Sequence, residues 1–359
     1  MSQPLSRTGD AAVPLDPAID LAALERYLQA HIDGFSGPIQ LSRFKGGQSN
    51  PTYLLSTPGR QYVMRTKPAP VAQLLPSAHA VEREFRLQSA LAGSAVPVAK
   101  MHCLCEDESV IGRAFYLMDF VEGRIFWEQS LPGMDPGERA AIYSELNRVI
   151  AELHHVDFDA LGLSGYGKPG NYFARQIDRW TRQYRASETG AIGPMDQLIA
   201  WLPQHIPDEA TPQVSLVHGD YRLDNVIFHP TEPRILAVID WELSTLGHPL
   251  ADFAYHVMSW HIVPGGAMRG LAGLDLPALG IPGESAYIAA YERRAGRALA
   301  GDWNFYLAYN LFRIAAILQG IAKRVQEGTA SSPQAAEYGH QVQPLAELGW
   351  RFAQKGSGG

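Results

Sequence analysis

The segment Leu216-Val217-His218-Gly219-Asp220-Tyr221-Arg222-Leu223-Asp224-Asn225-Val226-Ile227, followed by Ala237-Val238-Ile239-Asp240-Trp241-Glu242, constrains this chain more than any other. Val226-Ile227-Phe228 and Ile235-Leu236-Ala237-Val238-Ile239 read as two short strands that pair and return Asp240 beside Asn225. Asp220 and Asn225 stand at the two ends of a tight loop, so both can face one site. Asp and Asn also end strands and fill turns for purely local reasons. A second Asp following a strand at hairpin distance is more than turn chemistry requires.

Phosphoryl transfer asks for little covalent help from a protein. It needs a carboxylate that orients and deprotonates the attacking hydroxyl, and metal ions that neutralise phosphate oxygens. Asp220 is the residue type for the first task. Asn225 and Asp240 offer the oxygen ligands that Mg²⁺ prefers, and the spacing matches a D-x-x-x-x-N catalytic loop plus a metal-binding Asp.

The first third of the chain adds the other parts in a matching order. A helix is predicted from Leu21 to about Ile32, then strands at Ile39–Leu41, Thr52–Leu55 and Gln61–Arg65. The first two flank Lys45-Gly46-Gly47-Gln48-Ser49-Asn50, a loop whose glycines let backbone approach phosphates and whose Ser49 could donate a hydrogen bond to one. A Gly-Gly loop is also an ordinary hairpin turn. Arg65 ends a strand where a cation for the α- and β-phosphates belongs, and Glu84 lies on the next predicted helix, 78–91, where an acid should hold that cation. Lys67 and Glu82 compete for the same roles. Ala114–Met118 is the next apolar strand and runs into Asp119-Phe120-Val121-Glu122-Gly123.

Helical patterns then dominate, at about 137–155, 171–186, 193–202, 249–260, 285–296 and 302–326, with the strand-like island 215–239 between them. The expected architecture is α+β: a flexible arm (1–17), a small β-rich N-lobe (18–122), a larger mainly helical C-lobe (123–355) and a flexible tail (356–359). The chain has 359 residues, 46% hydrophobic and 19% charged, with a formal net charge of −7. That balance gives no reason to expect a nucleic-acid partner. Cys103 and Cys105 are the two cysteines, expected as reduced thiols in or beside a strand, which fits a cytoplasmic compartment. Residues 1–22 lack the apolar core of a signal peptide, and no run of about 18 apolar residues predicts a membrane span.

These residues resemble the aminoglycoside phosphotransferase and choline kinase superfamily, a small-molecule branch of the two-lobed protein-kinase-like fold, over about residues 35–330. The most specific part is His218-Gly219-Asp220-x-x-x-x-Asn225 with Ile239-Asp240-Trp241-Glu242. The resemblance implies ATP and Mg²⁺ as cofactors, Asp220 as base, Asn225 and Asp240 as Mg²⁺ ligands, and Ser49 at a phosphate. It further implies Asp119 and Val121 as the hinge at the adenine edge, Val63 as a wall of the adenine pocket, and Asp252 as a buttress of the catalytic loop. Phe44–Tyr53, Asn171–Trp180 and Phe312–Gly320 look like the kinase-like domains fused to certain acyl-CoA dehydrogenases. That subgroup implies phosphorylation of a hydroxylated fatty acid or its CoA ester, with an amino alcohol, sugar or aminoglycoside as the other small-molecule acceptors to weigh. A nucleotide-binding regulatory module without transfer is the reading of another class. The usual strand Lys is Arg65 here, and Arg with its planar fork is not interchangeable with Lys. Glu242 either reaches a second metal through water or caps the next turn.

On the predicted helix 171–186, Phe173, Ile177, Trp180 and Tyr184 share one face, with Arg175, Arg179, Arg182 and Arg185 opposite. A solvated charged face is the plain reading, and contact of Arg175 and Arg179 with an anionic or CoA-linked substrate is the sharper one. His154, His155, His248 and His256 suit packing and helix-end roles. His218 suits a hydrogen-bonding role at the loop, and Trp303–Ile321 a helix core.

Overall fold

The computed structural model describes residues 19–44, 50–68, 80–168, 170–208, 213–265, 269–299, 302–328 and 338–356. It forms two compact units that interleave along the chain. The first comprises Met1–Ile125, Asp157–Tyr166 and Asp224–Leu243, and the second Phe126–Val156, Gly167–Leu223 and Ser244–Gly359.

The first unit is built on a five-stranded antiparallel sheet of β1 (Gln40–Arg43), β2 (Thr52–Ser56), β3 (Gln61–Thr66), β4 (Met101–Cys105) and β5 (Phe115–Asp119), in the order β1-β2-β3-β5-β4. Strand alternation sorts its side chains. Tyr53, Leu55, Tyr62, Met64, Phe115 and Leu117 enter one core with Leu24 and Leu28 of α1 (Leu21–His31). Tyr116 and Ala114 pack on Val81 of α2 (Val81–Leu91). Asp20 caps α1 by accepting from the Ala22 and Ala23 amides, which satisfies donors that a helix start leaves unpaired. Cys103 and Cys105 are free and buried in β4. In the same unit β7 (Val226–Phe228) and β8 (Ile235–Val238) pair antiparallel, Val226 opposite Val238, as the apolar runs predict. Gly123 is required here: a Cβ would lie 2.2 Å from the Phe228 carbonyl oxygen.

The second unit is helical. It contains α3 (Pro136–His155), α4 (Tyr172–Ser187), α5 (Gly193–Trp201), α6 (Pro249–Val257), α7 (Leu276–Leu279), α8 (Glu284–Ala295), α9 (Trp303–Gln326) and α10 (Val342–Gly356), with β6 (Ser215–Val217) paired to β9 (Thr245–Gly247). α9 is its axis, with α4, α6 and α10 packed on it. Among the described residues α9 alone is long and apolar enough to cross a membrane, yet 83% of its most apolar window is buried inside the protein. Phe173, Ile177, Trp180 and Tyr184 are the buried face of α4, as their spacing predicts. β9 and α10 are not anticipated by the sequence reading, and Gly356, expected in a flexible tail, closes α10.

His256 on α6 is buried and its Nε2 lies 2.8 Å from the Tyr287 hydroxyl. Burial pushes its imidazole down to about 4. The folded protein therefore keeps the ring neutral where the unfolded chain takes up a proton, near pH 6.5, so stability rises with pH between the two values. Chemical denaturation is expected to show roughly 3 kcal/mol lost from this group as pH falls from about 6.5 to about 4. His256→Asn should flatten that interval; an unchanged slope in the variant would exclude His256 as its source.

Candidate active site

In the first unit the site is assembled by Arg65. Its strand register, Arg65 opposite Thr52 on β2 and Tyr116 on β5, sends the guanidinium toward α2 and the turn after β8. Arg65 Nε lies 3.0 Å from Glu84 Oε2, and Nη2 lies 2.9 Å from Asp240 Oδ1 and 3.3 Å from Glu242 Oε2. Burial alone would depress this guanidinium, but Glu84, Asp240 and Glu242 together hold its pKa above the ordinary arginine value. Glu84 is itself buried; its Oε1 accepts from Asn50 Nδ2 at 2.9 Å and its Oε2 from the Tyr116 hydroxyl at 3.0 Å. Burial raises the Glu84 carboxyl, and Arg65 opposes that rise. Lys67 pairs with Glu82 instead. The two cation–acid candidates of the sequence thus form two separate pairs, with Arg65 and Glu84 the buried one.

Asp240 follows β8 at φ 65°, in the left-handed region, a conformation that Asp tolerates better than most residues. The Ile239 amide donates to the Asn225 carbonyl at 2.9 Å, which sets the chain at Asp240 beside Asn225. Asn225 and Asp240 together present one amide and one carboxylate side chain, both oxygen donors. Among the described residues no group of three His, Cys, Asp or Glu could hold a metal. A pair of oxygen donors completed by phosphate and water is the donor set Mg²⁺ commonly accepts, so the residues fit that ion.

The other nucleotide-side candidates are also in this unit. Val63 is buried in β3 opposite Met118. Val121, like Ile239, packs against the cluster of Ile125, Ile227 and Ala237. The Asp119 carboxylate lies 2.6 Å from Arg60 and 2.7 Å from His102; partial burial works against it, but these contacts hold it below the usual carboxylate range. Ser49 lies outside the described residues.

In the second unit the loop after β6 carries Asp220. Gly219 sits at φ 83°, where a Cβ would be strained. Asp252 of α6, fully buried, accepts from the His218 amide at 2.8 Å and the Gly219 amide at 2.7 Å. His154 Nε2 lies 3.3 Å from Asp252 Oδ2. Burial would raise Asp252, but His154 and the loop amides keep it below the ordinary value. His218 Nδ1 accepts from the Asp220 amide at 3.2 Å. The Tyr255 hydroxyl donates to Asp220 Oδ1 at 2.5 Å, and Arg222 Nε lies 3.4 Å from the same oxygen. Arg313 of α9 donates from Nη2 to the Gly219 carbonyl at 2.6 Å.

The arginines of α4 divide. Arg175 donates to the Lys168 carbonyl at 2.6 Å, Arg182 pairs with Asp178, and Arg185 pairs with Glu188 and Asp196. Arg179 differs: its guanidinium lies 5.1 Å from the Trp180 ring centroid, and Arg313 lies 5.6 Å from the same ring. Partial burial and the charge of Arg313 depress Arg179. Asn50, Tyr116, Tyr255 and Arg313 were given no role by the sequence reading. Asn50 and Arg313 stand inside motifs already singled out, and Tyr255 lies one helical turn after Asp252.

The profile of a phosphotransferase enzyme family matches residues 40–278. The chain is 48% identical over 340 residues to acyl-CoA dehydrogenase family member 10 of Mus musculus, covering 94% of this chain and 31% of that protein. It is 40% identical over 341 residues to acyl-CoA dehydrogenase family member 11 of Homo sapiens, covering 94% and 43%. The chain therefore spans about a third to less than half the length of these curated relatives. A crystal structure of an aminoglycoside-phosphotransferase-like protein from Ralstonia eutropha superposes with a TM-score of 0.86 at 62% identity, covering 94% of this chain and 98% of that one. A thermostable mutant of aminoglycoside phosphotransferase APH(4)-Ia, in ternary complex with ADP and hygromycin B, shares the fold at a TM-score of 0.59 and 17% identity, covering 92% and 98%. The small antiparallel sheet and the helical unit are those of a kinase-like small-molecule phosphotransferase. This chain belongs to the phosphotransferase enzyme family.

Proposed function

We propose that this protein transfers the γ-phosphoryl group of ATP to a hydroxyl of a small molecule. The observation that carries this reading is Arg65, buried and ion-paired to Glu84 on the next helix, the pairing a kinase uses to hold a cation at the nucleotide phosphates, with Asp240 on the same guanidinium. Asp220 takes the proton of the acceptor hydroxyl as its oxygen bonds to the γ-phosphorus, and the bond to the β-phosphate oxygen breaks with its electrons leaving on ADP. Asn225 and Asp240 would hold Mg²⁺, which when bound neutralises charge on the phosphate oxygens. Arg65 contacts the phosphates while Glu84 fixes its position. The left-handed conformation of Asp240 is a local cost of the kind that collects at functional sites.

Removing the carboxylate of Asp240 tests the metal role. Asp240→Ala is expected to lose the Mg²⁺-dependent part of thermal stabilisation by ATP. Equal stabilisation with and without Mg²⁺ in the variant is the expected outcome, and an undiminished Mg²⁺ effect would remove Asp240 from the metal site.

The acceptor we propose is a hydroxy fatty acid or its CoA ester. Two observations support an anionic acceptor of that kind. The curated relatives are named acyl-CoA dehydrogenase family members 10 and 11, and Arg179 with Arg313 places two guanidinium groups at Trp180. ADP release from Mg-ATP is to be measured against 3- and 4-hydroxy fatty acids, their CoA esters, choline and kanamycin. Turnover that requires a hydroxylated fatty acid or ester is expected. Turnover with choline or kanamycin alone would keep the phosphotransferase reading and overturn the acceptor.

A further inference from the structure

The carboxylate of Asp220 is held by a phenol that phosphoryl transfer does not itself require. Tyr255 lies on α6 three residues after Asp252, and residues three apart share one helix face. From that face Asp252 takes the His218 and Gly219 amides, and Tyr255 donates its hydroxyl to Asp220 Oδ1 at 2.5 Å. α9 completes the grip. Arg313, buried, donates to the Gly219 carbonyl at 2.6 Å, and its guanidinium carbon lies 5.0 Å from the Tyr255 ring centroid. Arg222 approaches the same Oδ1 at 3.4 Å.

We propose that Tyr255 is a positioning residue for the transfer step and that Arg313 fixes Tyr255 in place. This rests on the reading of Asp220 as the base. A carboxylate on a short loop can rotate about its Cβ–Cγ bond, which changes the oxygen and the lone pair that meet the acceptor. A short O–H···O⁻ bond is charge-assisted and stronger than a neutral one. It fixes Oδ1, and the acceptor proton passes to Oδ2. Catalysis is sensitive to such placement, because a reacting group held in a near-attack geometry accounts for much of the rate. Burial first, and the Asp220 charge second, push the Tyr255 phenol well above its ordinary range, so it stays a donor at working pH. Arg313 acts on both parts through one group: Nη2 bonds the loop carbonyl, and the guanidinium carbon stands over the phenol ring.

Tyr255→Phe keeps the ring and deletes only the donor. It is to be measured beside Asp220→Asn, with hydroxy fatty acids and their CoA esters as acceptors and, in parallel, with water as acceptor (slow ADP release from Mg-ATP alone). Tyr255→Phe is expected to lower kcat by about tenfold or more while the KM for Mg-ATP changes by less than about twofold. Arg313→Lys, which keeps a donor and a charge but loses the planar face, should give a smaller fall in kcat with the same KM. A Tyr255→Phe protein that melts earlier yet turns over at the wild-type kcat would make Tyr255 a packing residue and overturn the proposal. Wild-type kcat in Arg313→Lys would overturn its second half. Retained turnover in Asp220→Asn would instead overturn the base assignment, so the two failures are separable.

Discussion

Asp220→Asn should reduce turnover by roughly 10²- to 10⁴-fold, the range general-base groups supply, and leave Mg-ATP binding within about twofold of wild type. The substitution is close to isosteric. Its amide oxygen can still accept from Tyr255, and the loop remains clamped through Asp252, which bonds the His218 and Gly219 amides and not the Asp220 side chain. What disappears is the ability to take a proton. The residues proposed on the nucleotide side, Arg65, Glu84 and Asp240, are untouched by the change, so stabilisation by Mg-ATP should persist. Single-turnover phosphoryl transfer separates chemistry from product release, and a thermal shift with Mg-ATP reports binding. Full single-turnover rate in the variant would remove Asp220 from proton transfer, whatever the acceptor.

The parts of the molecule written in short segments were legible in the sequence. The β7–β8 pairing followed from two apolar runs around a turn, and α4 followed from Phe173, Ile177, Trp180 and Tyr184 at helical spacing. The α10 helix was missed because Gly349 lies at its middle, a residue that argues against helix. Its missing Cβ has a packing reason: a Cβ there would stand 3.2 Å from Leu198 and Leu311 and 3.5 Å from the Ala308 carbonyl. The site divides in the same way. Chain order favoured Arg65 and Glu84 over their competitors Lys67 and Glu82, but gave no physical reason why Glu84 is the buried partner. That choice is made by strand register, which aims Arg65 where Asn50 and Tyr116 already hold Glu84. Tyr255 and Arg313 were illegible for a further reason. A buried Tyr and a buried Arg on apolar helices look like core until the loop they touch, 35 and 94 residues away in sequence, is known.

Arg65→Met carries the largest expected loss of stability. Arg65 and Glu84 are both buried, and removing one partner of such a pair leaves the other charge uncompensated, at a cost of about 3–5 kcal/mol. Here the cost is compounded, because Asp240 and Glu242 converge on the same Nη2 and would face Glu84 without the cation between them. A fall in melting temperature of roughly 4–8 °C is expected for a chain of this length. Neutralising the partner should recover part of it. The Arg65→Met/Glu84→Gln double variant is expected to be more stable than Arg65→Met alone by about 1–3 kcal/mol, the coupling a double-mutant cycle reads for groups in contact. The Gln side chain keeps one of the two acceptor oxygens that Asn50 and Tyr116 bond in Glu84, so the recovery is a net value in which removal of the charge outweighs the loss of one acceptor. Arg65→Lys separates stability from function. It keeps the charge, but a single ammonium cannot reproduce the fork that reaches Glu84 through Nε and Asp240 through Nη2. Stability should then fall less than in Arg65→Met, while the KM for Mg-ATP rises by about tenfold. A lysine variant with unchanged KM would show that the fork serves the fold and not the nucleotide.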